Sequence, residues 1–439
     1  MRAPSRWFVA LCSLVVTSAV LETAAAAERP NIVLIVADDQ AYGDFGFMGH
    51  KQIQTPRLDR LAAESLTFTR GYVPSSLCRP SLATILTGLY PHQHKIFSND
   101  PPLAPTAGKG KGKAKQPGAN AEFNRLRERQ IAHVDTAPTL PRLLGAESYA
   151  SFQTGKWWEG NFKRGGFTAG MTQGTRHGDA GLTIGRETMQ PIYDFVDRSV
   201  AEKKPFFVWY APFMPHTPHT PPQRLLDKYL KIAPTEHIAK YWAMCEWCDE
   251  TCGQLLDFLD DRKLRDNTIV VFVVDNGWIQ EPDAPRYAPK SKQSQYDGGL
   301  RSPIMVRYPG RVAPRTSDAL VSSIDISPTL LKACGIPADK AMQGVDLFDD
   351  KAVAARKQLY GEIFTHNAVD VDEPASSVRF RWTRSGDWKL IVPTTSNEPG
   401  AEVELYDLAA DPTETKNLAS AEPARVAELS KQLDAWWKP

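Results

Sequence analysis

Two seven-residue apolar runs constrain this chain more than anything else in it: Asn31–Ala37 (NIVLIVA) and Thr268–Val274 (TIVVFVV). Both are rich in β-branched residues and lack polar alternation, the pattern of a strand buried on both faces. Pro205–Tyr210 (PFFVWY) and Pro303–Tyr308 (PIMVRY) read the same way. Helical spacing recurs at Leu58–Phe68, Gln190–Ala201 and Ile238–Asp261. Strands alternating with helices over ~300 residues predict an α/β fold: a large mixed, mostly parallel sheet with helices on both faces. From about residue 351 the pattern shifts to RFRWTRSGDWKLIVPT, then VELYDLAADPTETKNL, then a helix over Glu422–Trp437. That predicts a small C-terminal α+β subdomain (351–439) built on an antiparallel sheet.

Charge narrows the partners. The 52 basic and 51 acidic residues leave a net charge of +1, which supports neither nucleic-acid binding nor a polybasic membrane contact. Residues 1–27 read as a signal peptide: Arg2 and Arg6, an apolar run from Trp7 to Val20, then Ala24–Ala27. That run is too short for a comfortable span of ~20 residues, and no later stretch is apolar enough, so no stable membrane span is expected. The predicted location is periplasmic or extracellular. Residues 28–350 then form the main domain, interrupted at 99–121 by a flexible Pro/Gly/Lys-rich surface insertion without periodicity.

Beyond Cys12 there are five cysteines. Cys245, Cys248 and Cys252 fall on one helix face, where small apolar packing with at most one disulfide is expected, because no fourth ligand completes a metal cluster.

The chemistry is expected beyond the carboxyl ends of the strands. Asp38-Asp39 follow the first buried run and Asp275-Asn276 follow the second. Oxygen groups converging from two strand ends suit a hard cation such as Ca²⁺ or Mg²⁺, and zinc less, since no histidine accompanies them. Cys78 precedes a helix that Pro80 starts and Gly88 ends, where the helix dipole favours an anionic nucleophile or ligand. Arg79 and the cluster Arg176-His177-Gly178-Asp179 read as surface groups. Trp157, Trp158, Trp209, Trp278 and Arg286 are candidate pocket residues for a sugar or an aryl group.

Six blocks in order carry a resemblance: RPNIVLIVADDQAYGDFG, CRPSLATILTGLYPHQH, TGKWW, VVDNG, KSKQSQYDGGLRSPIMVRYPG and ELYDLAADPTETKNLA. They resemble the type I, formylglycine-dependent sulfatases, members of the alkaline-phosphatase-like superfamily, and the likeness spans nearly all of the chain after residue 27. It implies that 28–350 is the catalytic domain and that a maturation enzyme oxidises Cys78 to formylglycine, whose hydrate attacks sulfur. It also implies that Asp38, Asp39, Asp275 and Asn276, together with the modified Cys78, hold a divalent cation, Ca²⁺ ahead of Mg²⁺. Lys156 and Lys292 match the family's sulfate-binding lysines. His216 matches the histidine that contacts sulfate and protonates the leaving oxygen, with His219 as competitor.

The sequence departs from the family at two places. Leu82 stands where the Cys-x-Pro-x-Arg core has arginine, and Trp158 where a histidine usually follows the TGK lysine by two residues. The expected function is hydrolysis of an organic sulfate ester, a small molecule or a glycan such as a carbohydrate sulfate. The alternatives are a phosphate or phosphonate ester hydrolase and a non-catalytic binder of sulfated glycans.

Overall fold

The computed structural model describes residues 29–103 and 121–439. The signal segment and the middle of the 99–121 insertion lie outside the described residues.

The buried runs form the middle of an eight-stranded sheet. Its strands are β1 (Asn31–Ala37), β2 (Leu66–Phe68), β3 (Ala150–Gly155), β4 (Ala169–Gly170), β5 (Phe206–Ala211), β6 (Thr268–Val274), β7 (Ile304–Arg307) and β8 (Arg315–Ser317). Their spatial order is β4-β3-β5-β1-β6-β7-β2-β8. β1 pairs in parallel with β5 on one side and β6 on the other, and every residue of β1 is buried. β7 runs antiparallel to both neighbours, so the sheet is mixed and mostly parallel, as its uninterrupted apolar runs require.

Alternate side chains of each central strand serve opposite layers. Ile32, Leu34 and Val36 pack with helix α2 (Cys78–Thr87) and helix α6 (Ile326–Ala333) through Leu82, Ile85, Leu86, Leu330 and Leu331. Val33, Ile35 and Ala37 pack with α1 (Pro56–Ala63), α4 (Gln190–Ala201) and α5 (Glu236–Asp261). The remaining long helix of the main domain is α3 (Ala121–Thr136).

The helical spacing over Leu58–Phe68 breaks earlier than expected. α1 ends at Ala63, and Leu66–Phe68 is β2, wedged between β7 and β8. Leu66 and Phe68, apolar on either side of Thr67, also suit a short buried strand, and tertiary pairing decides. Cys248 and Cys252 pack into the core from α5. The five described cysteines, Cys78, Cys245, Cys248, Cys252 and Cys334, are all free and buried, so no disulfide forms among them.

At the C-terminus, β9 (Gln358–Phe364), β10 (Val378–Ser385), β11 (Trp388–Pro393) and β12 (Glu404–Asp407) make an antiparallel sheet. One face packs Leu359, Ile363, Trp382 and Ile391 against Tyr72 and Leu300 of the main domain. Its other face carries Leu390 and Leu405 under Leu429 of helix α7 (Pro423–Trp436). Trp382 Nε1 and the Glu362 amide both donate to the Pro74 carbonyl (3.1 and 2.9 Å), four residues before Cys78. The small sheet therefore braces the approach to α2. Among the described residues no helix is long and apolar enough to cross a membrane.

Candidate active site

The carboxyl ends of β1 and β6 lie side by side because the two strands are in parallel register from Asn31–Thr268 to Ala37–Val274. The residues that follow each strand therefore emerge together. Asp39 takes φ 65°, a left-handed conformation that aspartate tolerates better than most residues, and its amide donates to Asp275 Oδ1 at 3.1 Å. Asn276 Nδ2 donates to Asp39 Oδ1 at 2.7 Å. All four residues are at most 2% exposed.

Two lysines close over these carboxylates. Gly155, at the end of β3, has φ +73°, and a Cβ there would sit 1.8 Å from the Ala211 carbonyl oxygen. Only glycine allows that approach, and it lets the Lys156 amide donate to the same oxygen at 2.7 Å. The turn sends Lys156 Nζ under the strand ends to Asp38 (2.5 Å) and Asp275 (3.5 Å). Lys292 comes from the other side and donates to both Asp39 oxygens at 2.6 Å. Its loop is tied to the segment before Cys78 by the Gln293 amide on the Ser76 carbonyl (2.9 Å) and by Ser76 Oγ on the Ser294 carbonyl (2.6 Å). Gly277 makes a second close approach: a Cβ there would lie 2.0 Å from the Gly298 carbonyl oxygen. The VVDNG and DGG motifs thus meet as bare backbones.

Cys78 is the first residue of α2, so the helix starts two residues before Pro80 and includes Cys78, which was expected to lie just ahead of it; Cys78 is 2% exposed. One donor atom each of Cys78, Asp38, Asp39 and His216 lies within 4.8 Å of the others. The expectation that no histidine accompanies the carboxylates is therefore corrected. His216 arrives from the loop after β5, with Nε2 3.4 Å from Asp39 Oδ2. Its Nδ1 donates to the Thr217 carbonyl at 2.5 Å, which leaves Nε2 facing the site. His219 points elsewhere, against the rings of Tyr241 and Trp278.

Burial raises Asp38 well above the usual carboxylate range against the pull of Lys156, and it raises Asp275 too. Asp39 is buried as well, yet Lys292, His216 and Lys156 hold it below that range. Both lysines, despite burial, are held above their ordinary value, Lys156 mainly by Asp38 and Lys292 mainly by Asp39. Burial pushes the Cys78 thiol up to about 12, so an unmodified Cys78 is a neutral thiol at pH 7 and a weak nucleophile.

The donor set fits a hard cation. Asp38 Oδ2 and Asn276 Oδ1 are buried acceptors without a hydrogen-bond partner. Such orphaned oxygens are costly unless something positive meets them. The carboxylates of Asp38, Asp39 and Asp275 and the amide oxygen of Asn276, brought together at two adjoining strand ends, are ligands of the kind Ca²⁺ or Mg²⁺ takes.

An open cavity of about 330 Å³ gives onto this centre, with Cys78, His216 and Lys292 at its base and Trp158, Trp278 and Arg286 on its walls. Lys156, 1% exposed, lies beneath it. Trp157 and Trp209, expected as pocket residues, are instead buried in the core beside the sheet. Leu82 and Trp158 share that hydrophobic cluster and line one cleft of about 10 Å³.

Several neighbours escaped the sequence reading. Arg79 is no surface group: it is 2% exposed and paired with Glu159, Gln130 and Asn99. A basic residue next to Cys78 and an acidic one three after Lys156 were the available signal. The Arg176–Asp179 cluster is not a free surface either. Arg176 stacks over Trp158 (4.5 Å) and pairs with Asp100, while the His177 ring meets Trp158 edge-on at 4.4 Å. Asn99 and Asp100, which start the supposed surface insertion, are therefore buried at the pocket. His366, from the loop after β9, reaches the cavity wall and nothing in its local sequence announced it.

A mixed, mostly parallel sheet with an acidic, lysine-bridged centre at its carboxyl edge defines an alkaline-phosphatase-like hydrolase. Residues 30–336 match the Sulfatase family, and residues 290–437 match the N-sulphoglucosamine sulphohydrolase C-terminal family. The chain belongs to the sulfatase family and is a sulfuric ester hydrolase. It is 28% identical over 383 residues to N-acetylgalactosamine-6-sulfatase of Canis lupus familiaris, covering 76% of this chain and 68% of that protein. It is 25% identical over 520 residues to N-acetylgalactosamine-6-O-sulfatase of Bacteroides thetaiotaomicron, covering 93% of each. Its fold is similar (TM-score 0.68, 20% identity, 93% of this chain and 97% of the other) to a protein solved in complex with its substrate D-glucosamine-2-N,6-O-disulfate.

Proposed function

We propose that this chain hydrolyses a carbohydrate sulfate outside the cytoplasm, with Cys78 as the precursor of its nucleophile. One observation carries the reading: Cys78, Asp38, Asp39 and His216 converge within 4.8 Å at the base of a cavity that Lys292 also lines. The sugar substrate is supported by the relatives' names, and export by the basic, apolar and small-residue pattern of residues 1–27.

Oxidation of Cys78 by a maturation enzyme supplies an aldehyde whose hydrate bears the attacking hydroxyl. Asp38, Asp39, Asp275 and Asn276, beside the modified Cys78, would hold a divalent cation, Ca²⁺ ahead of Mg²⁺, which when bound would acidify that nucleophile and polarise a sulfate oxygen. The remaining work falls to the chain. Lys292 compensates charge on the sulfuryl oxygens from the cavity base, and Lys156 does so from below while holding Asp38 in place. His216 presents Nε2 to the leaving oxygen and manages its proton. Trp158, stacked under Arg176, covers one side of the centre and limits water there.

The test is peptide mass spectrometry across Cys78 on protein from its native host, paired with turnover of matched sulfate and phosphate esters. An aldehyde mass and faster sulfate hydrolysis are expected. An unmodified thiol with sulfated-glycan binding but no turnover would overturn the proposal in favour of a binding protein, and faster phosphate hydrolysis in favour of a phosphoesterase.

A further inference from the structure

The cations around the pocket are not equivalent. Lys292 is anchored on Asp39 and belongs to the reacting centre, and Arg176 is paired with Asp100 through contacts of 2.8 and 3.0 Å. Arg286 lines the same cavity, is exposed, and has no carboxylate partner among the described residues. Glu281 and Asp283, on the same hairpin, form no ion pair with it.

Its backbone is nevertheless held firmly. Gln280 and Tyr287 form an antiparallel bridge, and the Ala288 amide donates to the Ile279 carbonyl at 2.7 Å. Gln280 is 6% exposed. Its amide nitrogen donates toward the carbonyls of Glu281 (2.8 Å), Ala284 (2.7 Å) and Arg286 itself (3.2 Å), while its oxygen accepts from Trp278 Nε1 (3.0 Å). This hairpin is joined to the reacting centre by aromatic contacts. Lys292 Nζ lies 5.7 Å from the Trp278 ring centre, and Trp278 meets Tyr287 at 5.3 Å. Arg286 thus stands on the rim one residue beyond a wall that begins at Lys292. An unpaired guanidinium carried on a braced backbone beside an anion-binding site is available for a second oxyanion.

We propose that Arg286 selects substrates carrying a second anionic group, a carboxylate or another sulfate, on the sugar that bears the scissile ester or on its neighbour. This rests on the sulfatase reading above and names its substrate class. The charged fork gives paired hydrogen bonds to either oxyanion, while Trp278 and Tyr287 offer apolar faces to the ring between the two charges.

The experiment uses the full, matured chain and four probes: an aryl sulfate, a monosulfated N-acetylhexosamine, its disulfated counterpart, and a monosulfated disaccharide containing a uronic acid. Arg286→Ala should lower kcat/KM for the two dianionic sugars ~10–100-fold, the scale of one charged hydrogen-bonding group, and for the other probes no more than ~3-fold. Arg286→Lys should restore part of the loss. The two dianionic arms separate carboxylate from sulfate recognition, and selective loss on either supports the proposal. Equal losses on all four probes, or none on any, overturn it. Failure of the sulfatase reading would show separately, as no turnover of any probe by the unmutated protein. The preference would then be read from calorimetric binding of disulfated against monosulfated sugar, and equal affinity would overturn it.

Discussion

Arg79 and Glu159 face each other in a two-point ion pair, Nε–Oε1 2.7 Å and Nη2–Oε2 2.6 Å, with side chains only 2% and 5% exposed. Arg79 adjoins Cys78, and Glu159 follows Lys156 by three residues, so the pair fastens the nucleophile's helix to the loop bearing the buried lysine. Removing one partner strands a buried charge. Glu159→Ala should therefore cost ~3–5 kcal/mol of stability, whereas Arg79→Met with Glu159→Leu should cost far less. Thermal melts of the two variants decide this, and equal destabilisation would argue that the pair contributes only packing.

The cation site is tested at Asp275. Asp275→Ala removes a carboxylate and leaves Lys156 to Asp38 alone, so activity should vanish and calcium should no longer raise the melting temperature. Full stoichiometric calcium in that variant, measured by metal analysis, would exclude Asp275 as a ligand.

His216 lies at the cavity base and His219 does not. His216→Ala should therefore slow sugar sulfates, whose leaving oxygen needs a proton, by more than activated aryl sulfates. Loss of a proton donor is worth ~10²–10⁴-fold where the leaving group is poor. Equal losses on both substrate types would remove His216 from that role. Lys292→Ala, by contrast, should cost ~2–4 kcal/mol of transition-state stabilisation on every substrate.

Leu82 and Trp158 line one apolar cleft together with Glu159. Both Glu159 oxygens already serve Arg79, so Leu82→Arg would bury a guanidinium without a free partner and should lower stability. Adding Trp158→His should recover part of the loss, and a double-mutant cycle on protein with equal Cys78 modification measures that coupling. A single Leu82→Arg variant that is stable, better modified and faster would mean that the apolar pair disables the nucleophile.

His94 gives the fold an acid-sensitive point. Its Nδ1 accepts from the Ile96 amide at 3.0 Å and its Nε2 meets Thr84 Oγ1 of α2 at 3.2 Å. Both bonds suit the neutral ring, and burial, with His92 next, lowers its pKa from 6.5 to about 3. A depressed pKa means that the folded chain binds this proton less readily than the unfolded chain. The stability it confers is present above pH 6.5 and is lost as the pH falls toward about 3. The slope is at most ~1.4 kcal/mol per pH unit. Urea midpoints between pH 7 and 4 should fall more steeply for the natural chain than for His94→Gln, and parallel slopes would contradict the assignment.

Local sequence determined the parts of this protein that depend on strand period and polarity. A seven-residue apolar run rich in β-branched residues reads as a strand with two covered faces, and in a parallel sheet the residues after such strands emerge on one edge. Asp38, Asp39, Asp275 and Asn276 were legible for that reason, and the ordered motifs made Cys78, Lys156 and Lys292 legible beside them. Tertiary structure alone decided what the loops do. Arg79 reads as a surface cation until Glu159 arrives from a loop 80 residues away. The histidines of one Pro-rich loop differ only in which way the chain turns after β5, and that turn gives His216 to Asp39 and His219 to Tyr241. His366 joins the pocket because the C-terminal sheet docks beside it. Side-chain direction and long-range charge pairing leave no periodic trace in a sequence, since both depend on residues far away along the chain that become neighbours only when the sheet assembles.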